Sequence, residues 1–226
     1  KRHFQDAFYD DEDRKSKDTR GTVLEWCRRI IEDNANVFWH SWVCDFRGRM
    51  LPRCAKLSPQ GDDLDRALIR FKEWKALGEQ GRDWLHVHLH NLMEGVESEL
   101  WKKKGHLSNC HCCGPARKNQ TFENRRQWVE NNLKQLRSIG RRPQEHLGLL
   151  GLERRRLGKR TDFQRLAVLI ELDRVWTEYE DSGGDWSRVT SGQPVYLDAS
   201  CNGYQHVSAL LRDPILASLS NLTHTD

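Results

Sequence analysis

Thr161 to Trp176 carries Phe163, Leu166, Ala167, Leu169, Ile170 and Val175 at helical spacing, with Asp162 placed to cap its start. It is the most apolar helix this chain can form, in a sequence that is otherwise polar. Of 226 residues, 37% are hydrophobic and 31% charged, and the mean hydropathy is −0.83. An apolar helix in such a chain has to be covered by other elements, so it sets where the core lies. The length suffices for one large domain or two small ones. The remaining periodicities give several helices and few short strands.

The buried helix is expected to support the segment C-terminal to it. Ser182-Gly183-Gly184-Asp185 reads as a turn, and Gln193-Pro194 leads into a segment where Val195 and Leu197 alternate with Tyr196, as in a half-buried strand. Next comes Asp198, then a turn, then Tyr204, Val207, Ser208 and Leu211 at helical spacing. Asn202 is suited to cap that helix and Asp213-Pro214 to stop it. A carboxylate where a strand gives way to a turn and helix can present a hard oxygen to Mg²⁺. It can equally cap the turn, and spacing alone leaves both open.

Upstream, residues 1–20 mix six acidic and six basic side chains and read as a solvated lead-in. Thr22 to Asn34 reads as a helix through Val23, Trp26, Cys27 and Ile30. Val37 to Cys44 is aromatic and β-branched and reads as a strand, running into Asp45-Phe46-Arg47-Gly48-Arg49. Arg47 and Arg49 flanking Gly48 suit close approach to a phosphate chain, or an ordinary basic turn. Asp62 or Asp63 is placed to cap a helix through Leu64, Ala67, Leu68 and Phe71 that stops at Gly78. A second helix comes next, about Glu79 to Met93, with Trp84, Leu85, His88, Leu89 and Leu92. Within it, only His86 and His90 of the His86-Val87-His88-Leu89-His90 run share a face; solvated or core-edge histidines are the reading preferred over a metal. Most of the nine Trp are expected in the core.

Cys110-His111-Cys112-Cys113 offers soft ligands, but structural zinc sites usually use two separated pairs. The second pair is missing unless Cys44 or Cys54 folds over, so a thiol-bearing loop is preferred to zinc at Cys110, Cys112 and Cys113. A helix from Thr121 is expected to bury Phe122, Val129, Leu133 and Leu136. Residues 141–160 hold seven Lys/Arg against Glu145 and Glu153, a net +5, on a whole-chain charge of only +4. Such a run can track a nucleic-acid backbone or form a solvated loop. No apolar run approaches the ~20 residues of a membrane span, and an odd count of seven Cys argues for reduced thiols in a cytosolic setting.

Asp198-Ala199-Ser200-Cys201-Asn202-Gly203-Tyr204-Gln205-His206, closed by Leu211-Arg212-Asp213, resembles motif A of the single-subunit, bacteriophage- and mitochondrial-type DNA-directed RNA polymerases. Its pattern there is Asp-Gly-Ser-Cys-Ser/Asn-Gly-x-Gln-His. Asp45 to Arg49 resembles the Asp-Phe/Tyr-Arg-Gly-Arg loop upstream of motif A in the same family. Ser58-Pro59-Gln60-Gly61-Asp62-Asp63 is similar to its Pro-Gln-Gly-Asn/Ser-Asp turn, and Trp84-Leu85 with His88 to its Gly-x-x-Trp-Leu-x-x-His helix. The resemblance covers about residues 20–104 and 161–226.

It implies a helix-rich α/β (α+β) fold, a right-hand polymerase palm fragment with a small antiparallel sheet. Residues 1–36 would be a lead-in and thumb-proximal helix, 37–104 a first palm segment, 105–160 a basic Cys-containing insertion, and 161–226 the palm helix, motif A strand and following helix. Asp198 would bridge the metals of a two-Mg²⁺ centre, with the Ala199 carbonyl assisting. Arg47, Gly48 and Arg49 would contact nucleic acid. The implied partners are a DNA template, nascent RNA, ribonucleoside triphosphates and the remainder of the polymerase, which carries the fingers and the second catalytic Asp; no membrane is involved. The location implied is the cytoplasm of a phage-infected bacterial host, ahead of the mitochondrial matrix. Two positions depart from the family pattern: Ala199 stands for Gly and Leu51 for Tyr. The chain alone is expected to be inactive. The competing reading is a non-catalytic nucleic-acid-binding module with a zinc knuckle at Cys110–Cys113. A family A DNA polymerase palm fits the motif wording less well.

Overall fold

A computed structural model describes residues 14–32, 37–46, 48–54, 56–94, 96, 116, 120–148, 161–196, 203–220 and 222–223. The described chain is helix-rich with two small antiparallel sheets, compatible with an α+β class. It divides into two units, Lys1–Val195 and Tyr196–Asp226.

In the first unit, α1 (Arg14–Glu32) leads to a hairpin of β1 (Trp42–Cys44) and β2 (Met50–Pro52). Then come α2 (Asp63–Leu68), β3 (Lys75–Ala76), α3 (Gly78–Leu92), α4 (Phe122–Asn131), α5 (Leu133–Arg141), α6 (Asp162–Asp181) and β4 (Thr190–Ser191). β1 pairs with β2 through Trp42↔Pro52, Val43↔Leu51 and Cys44↔Met50. β3 pairs with β4 through Lys75↔Ser191 and Ala76↔Thr190.

The core is organised on α6. Leu166, Val168, Leu169, Leu172 and Val175 from α6 meet Leu85, Leu89 and Leu92 from α3, Trp128 and Val129 from α4, and Leu136 and Ile139 from α5. α6 is wrapped on several sides: α2, α3, α5 and β4 all pack against it. That is why even Gln164, Arg165 and Glu171 are buried on this helix, and why its apolar residues do not form a single stripe. A smaller cluster joins Val23 of α1 to Leu57 and Leu64, with Phe163 of α6 packed beside it.

α5 passes close to α6 at Gly140. A Cβ built there would lie 2.1 Å from the Leu169 carbonyl oxygen and 2.7 Å from its carbon. These are backbone atoms of a helix and cannot step aside, so only glycine allows the contact.

Several expectations are corrected. α1 begins earlier than Thr22, at Arg14. The aromatic run from Val37 forms a strand only at Trp42–Cys44, because only there does β2 supply a partner. α2 ends at Leu68 and Ile69 is extended, which lets Phe71 donate to the Gly192 carbonyl at 2.8 Å. The expected helix through Phe71 to Gly78 is therefore absent, and Phe71 is exposed. The helix from Thr121 is two helices meeting at Asn132. Val129 and Leu136 are buried as read, whereas Phe122 is exposed and stacks edge-on with Trp84. Among the described residues only Trp128 and Trp186 are buried tryptophans. Trp26, Trp39, Trp42, Trp74 and Trp84 face solvent, so the expectation of a mostly buried set does not hold.

The histidines of α3 lie in the core rather than at its edge. His86, His88 and His90 are all buried, because α3 is sandwiched between α4 and α6. His86 stacks on Trp176 at 6.2 Å and His90 meets Trp128 edge-on at 5.4 Å. Neither ring nitrogen of His86 has a hydrogen-bond partner among the described residues. Burial pushes all three imidazoles down to about 4; nearby arginines act in the same direction, Arg82 on His86, Arg66 on His88 and Arg125 on His90.

The described residues of the second unit form a helix pair, α7 (Gly203–Leu211) and α8 (Pro214–Leu219). Asp213, expected as a stop, is the N-cap of α8: its Oδ1 accepts the Ile215 and Leu216 amides at 2.9 and 3.0 Å, with Pro214 at the first helical position. Of the residues read at helical spacing on α7, Ser208 is buried, together with Gln205; Tyr204, Val207 and Leu211 are exposed. The Gln205 amide donates to the Ser220 carbonyl at 2.8 Å, and small residues such as Ala217 and Ser208 let the two helices close.

This packing has two measurable outcomes. Gly140→Ala should lower unfolding stability by about 1–3 kcal/mol through overpacking, read by urea denaturation. The unfolded chain protonates its histidines near the ordinary value of 6.5, the folded chain only near 4. The unfolded state thus binds more protons in that window, so stability is full above pH 6.5 and falls as pH drops toward 4. His86→Phe should flatten part of that slope in denaturation curves taken across the window.

Candidate functional site

The Asp45–Arg49 segment forms the tip of the β1–β2 hairpin. The Asp45 amide donates to the Arg49 carbonyl and the Gly48 amide to the Asp45 carbonyl, both at 2.9 Å. Gly48 turns the chain with φ +77°, a conformation that costs glycine little. The Asp45 carboxylate closes the loop from the side. It accepts the Arg49 amide at 2.9 Å and Nε at 2.7 Å, and pairs with Nη2 at 2.6 Å. Arg49 is thus aimed by a charged partner, yet its side chain remains 60% exposed, so guanidinium edges stay open to solvent. Gly48 and Arg49 sit together at this tip; Arg47 lies outside the described residues. Leu51, at the position where the family pattern has Tyr, pairs with Val43 in the hairpin.

The Ser58–Asp63 turn fixes the hairpin to the core. Gln60 donates its side-chain amide to the Met50 carbonyl of β2 at 3.1 Å. The buried Asp65 carboxylate accepts the Leu57 amide at 2.6 Å and the Asp62 amide at 3.2 Å. Asp63 faces elsewhere. Its carboxylate accepts the Phe163 and Gln164 amides at 2.7 and 3.1 Å and the Gln164 side-chain amide at 2.9 Å. It therefore caps α6 from another part of the chain, the role expected of Asp162, whose carboxylate instead accepts from Arg165 Nη1 at 3.0 Å. Arg165 in turn donates Nε to the Leu92 carbonyl at 2.9 Å, joining α6 to the end of α3.

The segment leading toward Asp198 is anchored by a second buried carboxylate, Glu171. It accepts Arg174 Nη2 and the Ser191 hydroxyl at 2.7 and 2.6 Å and pairs with Arg70 at 3.0 Å. Burial opposes ionisation of Glu171, but the hydrogen bonds from Arg174 and Ser191 and the charges of Arg70 and Arg174 outweigh it and hold its carboxyl below the usual range. Arg174 also donates to the Thr190 carbonyl and to Glu178, and its guanidinium lies 4.6 Å over the Trp74 ring. Sequence reading offered Asp63 as a cap for its own helix rather than for α6, and missed Asp65 and Glu171. The available signals were a doubled Asp before a helix that needs only one, and a lone acid inside the most apolar helix.

Asp198 and Ala199 lie outside the described residues, as do Cys110, Cys112 and Cys113. Residues 194–196 precede Asp198 without strand pairing; the strand on this side is β4, a few residues earlier. Among the described residues no group of three or more His, Cys, Asp or Glu could hold a metal, and no helix is long and apolar enough to cross a membrane. Cys27, Cys44 and Cys54 are free thiols.

Asp63→Ala should cost about 1–2 kcal/mol of unfolding free energy by uncapping α6, and Asp63→Asn less, since an amide oxygen still accepts; urea titration of both variants distinguishes them.

The sequence model described as DNA-dependent RNA polymerase matches residues 75–226. DNA-directed RNA polymerase 2, chloroplastic/mitochondrial, of Nicotiana sylvestris is 33% identical over 196 residues, 86% of this chain and 16% of the relative. The Arabidopsis thaliana protein of the same description is 32% identical over 199 residues, 88% of this chain and 16% of the relative. DNA-directed RNA polymerase 1, mitochondrial, of Arabidopsis thaliana is 30% identical over 200 residues, 88% and 17% respectively. The chain thus spans about one sixth of the length of these curated relatives. Their names point to plant organelles and overturn the expected phage-infected bacterial cytoplasm; thiols kept reduced do not distinguish these compartments. The match over residues 75–226 places this chain in the DNA-dependent RNA polymerase family.

Proposed function

We propose that this chain is part of the palm of an organellar polymerase that joins ribonucleotides on a DNA template, with Asp198 as one carboxylate of its reaction centre. The observation that supports this most is the family match, which takes in Asp198–His206 along with α3 and the whole of α6.

The donor chemistry fits Mg²⁺. Asp198 supplies a hard carboxylate and Ala199 a backbone carbonyl, both oxygen ligands of the kind Mg²⁺ prefers. One carboxylate and one carbonyl do not fill an octahedral shell, so the reading requires a second carboxylate from the remainder of the polymerase. Two bound Mg²⁺ ions would supply activation of the RNA 3′ hydroxyl and neutralisation of the triphosphate. The task of this chain is placement. Arg49, oriented by Asp45, offers its remaining donors to a phosphate backbone, with Gly48 keeping the tip thin and Arg47, two residues earlier in the sequence, assigned the same task. These contacts position nucleic acid without reading its sequence, and their strength should fall with salt.

The remainder of the polymerase supplies the fingers and the second carboxylate, so the isolated chain of 226 residues should make no RNA in a primed synthesis assay. In the complete polymerase, Asp198→Asn should lower ribonucleotide incorporation by about three orders of magnitude, the several kcal/mol that metal-assisted charge stabilisation supplies, while template affinity stays unchanged. Wild-type synthesis by that variant would remove Asp198 from the centre.

A further inference from the structure

Arg70 to Ala76 crosses the surface of the first unit with every residue exposed, yet it is firmly held. Arg70 Nη2 pairs with the buried Glu171 carboxylate at 3.0 Å. The Phe71 amide donates to the Gly192 carbonyl at 2.8 Å, and Lys75 and Ala76 pair with Ser191 and Thr190 as β3 against β4. Trp74 belongs to the same anchoring. Its ring lies so close to Gly192 that a Cβ there would meet it at 2.6 Å, and the Arg174 guanidinium sits 4.6 Å over it.

Two rings at Lys72 are used differently. Phe71, tied down by its backbone, leaves its side chain outside and is 64% exposed. Trp39, in the stretch before β1, is 80% exposed. The Lys72 ammonium lies over the Trp39 ring, 5.8 Å from its centroid. An ammonium on one face of an indole leaves the other face open. A cation beside an open ring suits a nucleotide, with the base on the ring and the phosphate on the ammonium. Glu73, the acid of this stretch, is countered by Lys75 Nζ at 3.4 Å, with both side chains largely exposed.

A protein partner fits this surface less well. Interface cores are depleted in lysine, and a protein laid on Trp39 would take Lys72 out of water with it. A duplex also fits less well, because its bases stack on one another and offer no face to a ring. Trp39 precedes Asp45 by six residues, so the ring and the hairpin tip are at most about 22 Å apart. One unpaired strand can touch both, and copying duplex DNA requires such a strand in the template.

We propose that Trp39, Phe71 and Lys72 form a contact for unpaired template DNA, separate from the Arg49 tip: the rings stack bases and Lys72 pairs with a phosphate. This rests on the reading of the chain as part of a polymerase that works on a DNA template.

The test uses the complete polymerase with Trp39→Ala, Trp39→Phe, Phe71→Ala, Lys72→Gln and, for the tip, Arg49→Gln. Fluorescence anisotropy reads Kd for a labelled single-stranded thymidine oligonucleotide and for its uridine RNA counterpart across a salt series. Thermal melting reads folding. Trp39→Ala should weaken DNA binding about 5- to 100-fold, and Phe71→Ala by a similar or smaller factor, with melting near wild type. Trp39→Phe keeps a ring and should retain most of the affinity. Lys72→Gln should make the dependence of log Kd on log salt shallower by about 0.7; it and Phe71→Ala carry the test should Trp39→Ala not fold. Wild-type DNA affinity and salt slope in the Trp39→Ala, Phe71→Ala and Lys72→Gln variants overturn the proposal. So does a loss confined to RNA, and so does lowered melting with unchanged Kd, which marks a face packed against the rest of the polymerase. Arg49→Gln separates this contact from the reading beneath it. Weakened binding there beside unchanged binding in the other variants removes this contact alone, whereas unchanged binding in all of them removes the nucleic-acid reading of the hairpin as well.

Discussion

A charge removed from water in the middle of the most apolar helix governs how the first unit is assembled. Glu171 has no exposure, and an unpaired carboxylate there would be intolerable. The sequence therefore brings Arg174 from the next turn of α6, Arg70 from the segment after α2 and Ser191 from β4. Satisfying one group draws two separate stretches onto the same face of one helix. The apolar contacts supply the bulk of the stabilisation, but they are non-directional; the ionic centre chooses which arrangement they stabilise.

The same division of labour recurs at the other end of α6. Leucines and valines fill the space, while Asp63 and Arg165 fix the register, the first by holding the helix N-terminus and the second by tying it to the end of α3. The Pro59-Gln60-Gly61-Asp62-Asp63 turn acts as a joint. It connects the hairpin through Gln60 to Met50, the start of α2 through Asp65, and α6 through Asp63. Restraint at the N-terminal end and the middle of the central helix ties the hairpin and the β4 segment to the core of the first unit.

Much of this was legible in sequence where the signal is local. The apolar period of Thr161–Trp176 marked α6, and the Trp84–Leu92 period marked α3. Gly183 and Gly184 marked the turn after α6, where both adopt positive φ. What escaped was non-local. The chain leaves α2 at Ile69 because the next residues have appointments with Gly192 and Glu171, which no window around Leu68 contains. The histidines looked polar enough for an edge position, but α3 is covered on two faces and they went inside. Gln205 and Ser208 displaced the apolar residues of α7 from its contact face because small and hydrogen-bonding groups let α8 come nearer. Around the hairpin and β4, the Arg-Gly-Arg wording stands in the sequence, whereas the buried carboxylates of Asp65 and Glu171, which tie these segments to the core, could not be read from it.

The cap that Asp63 places on α6 spans a separation of 100 residues. During synthesis at roughly 5–20 residues per second, that leaves about 5–20 seconds in which the acid has been made and its helix has not. Through that interval Leu57 and Leu64 lack Phe163, and the hairpin's joint has only its own end in place. Vectorial folding of this unit is therefore completed from its later part backwards. The emergence of α6, rather than of the earlier segments, is the event that makes the region compact, and a nascent chain stalled before it would display an unfinished apolar surface to chaperones.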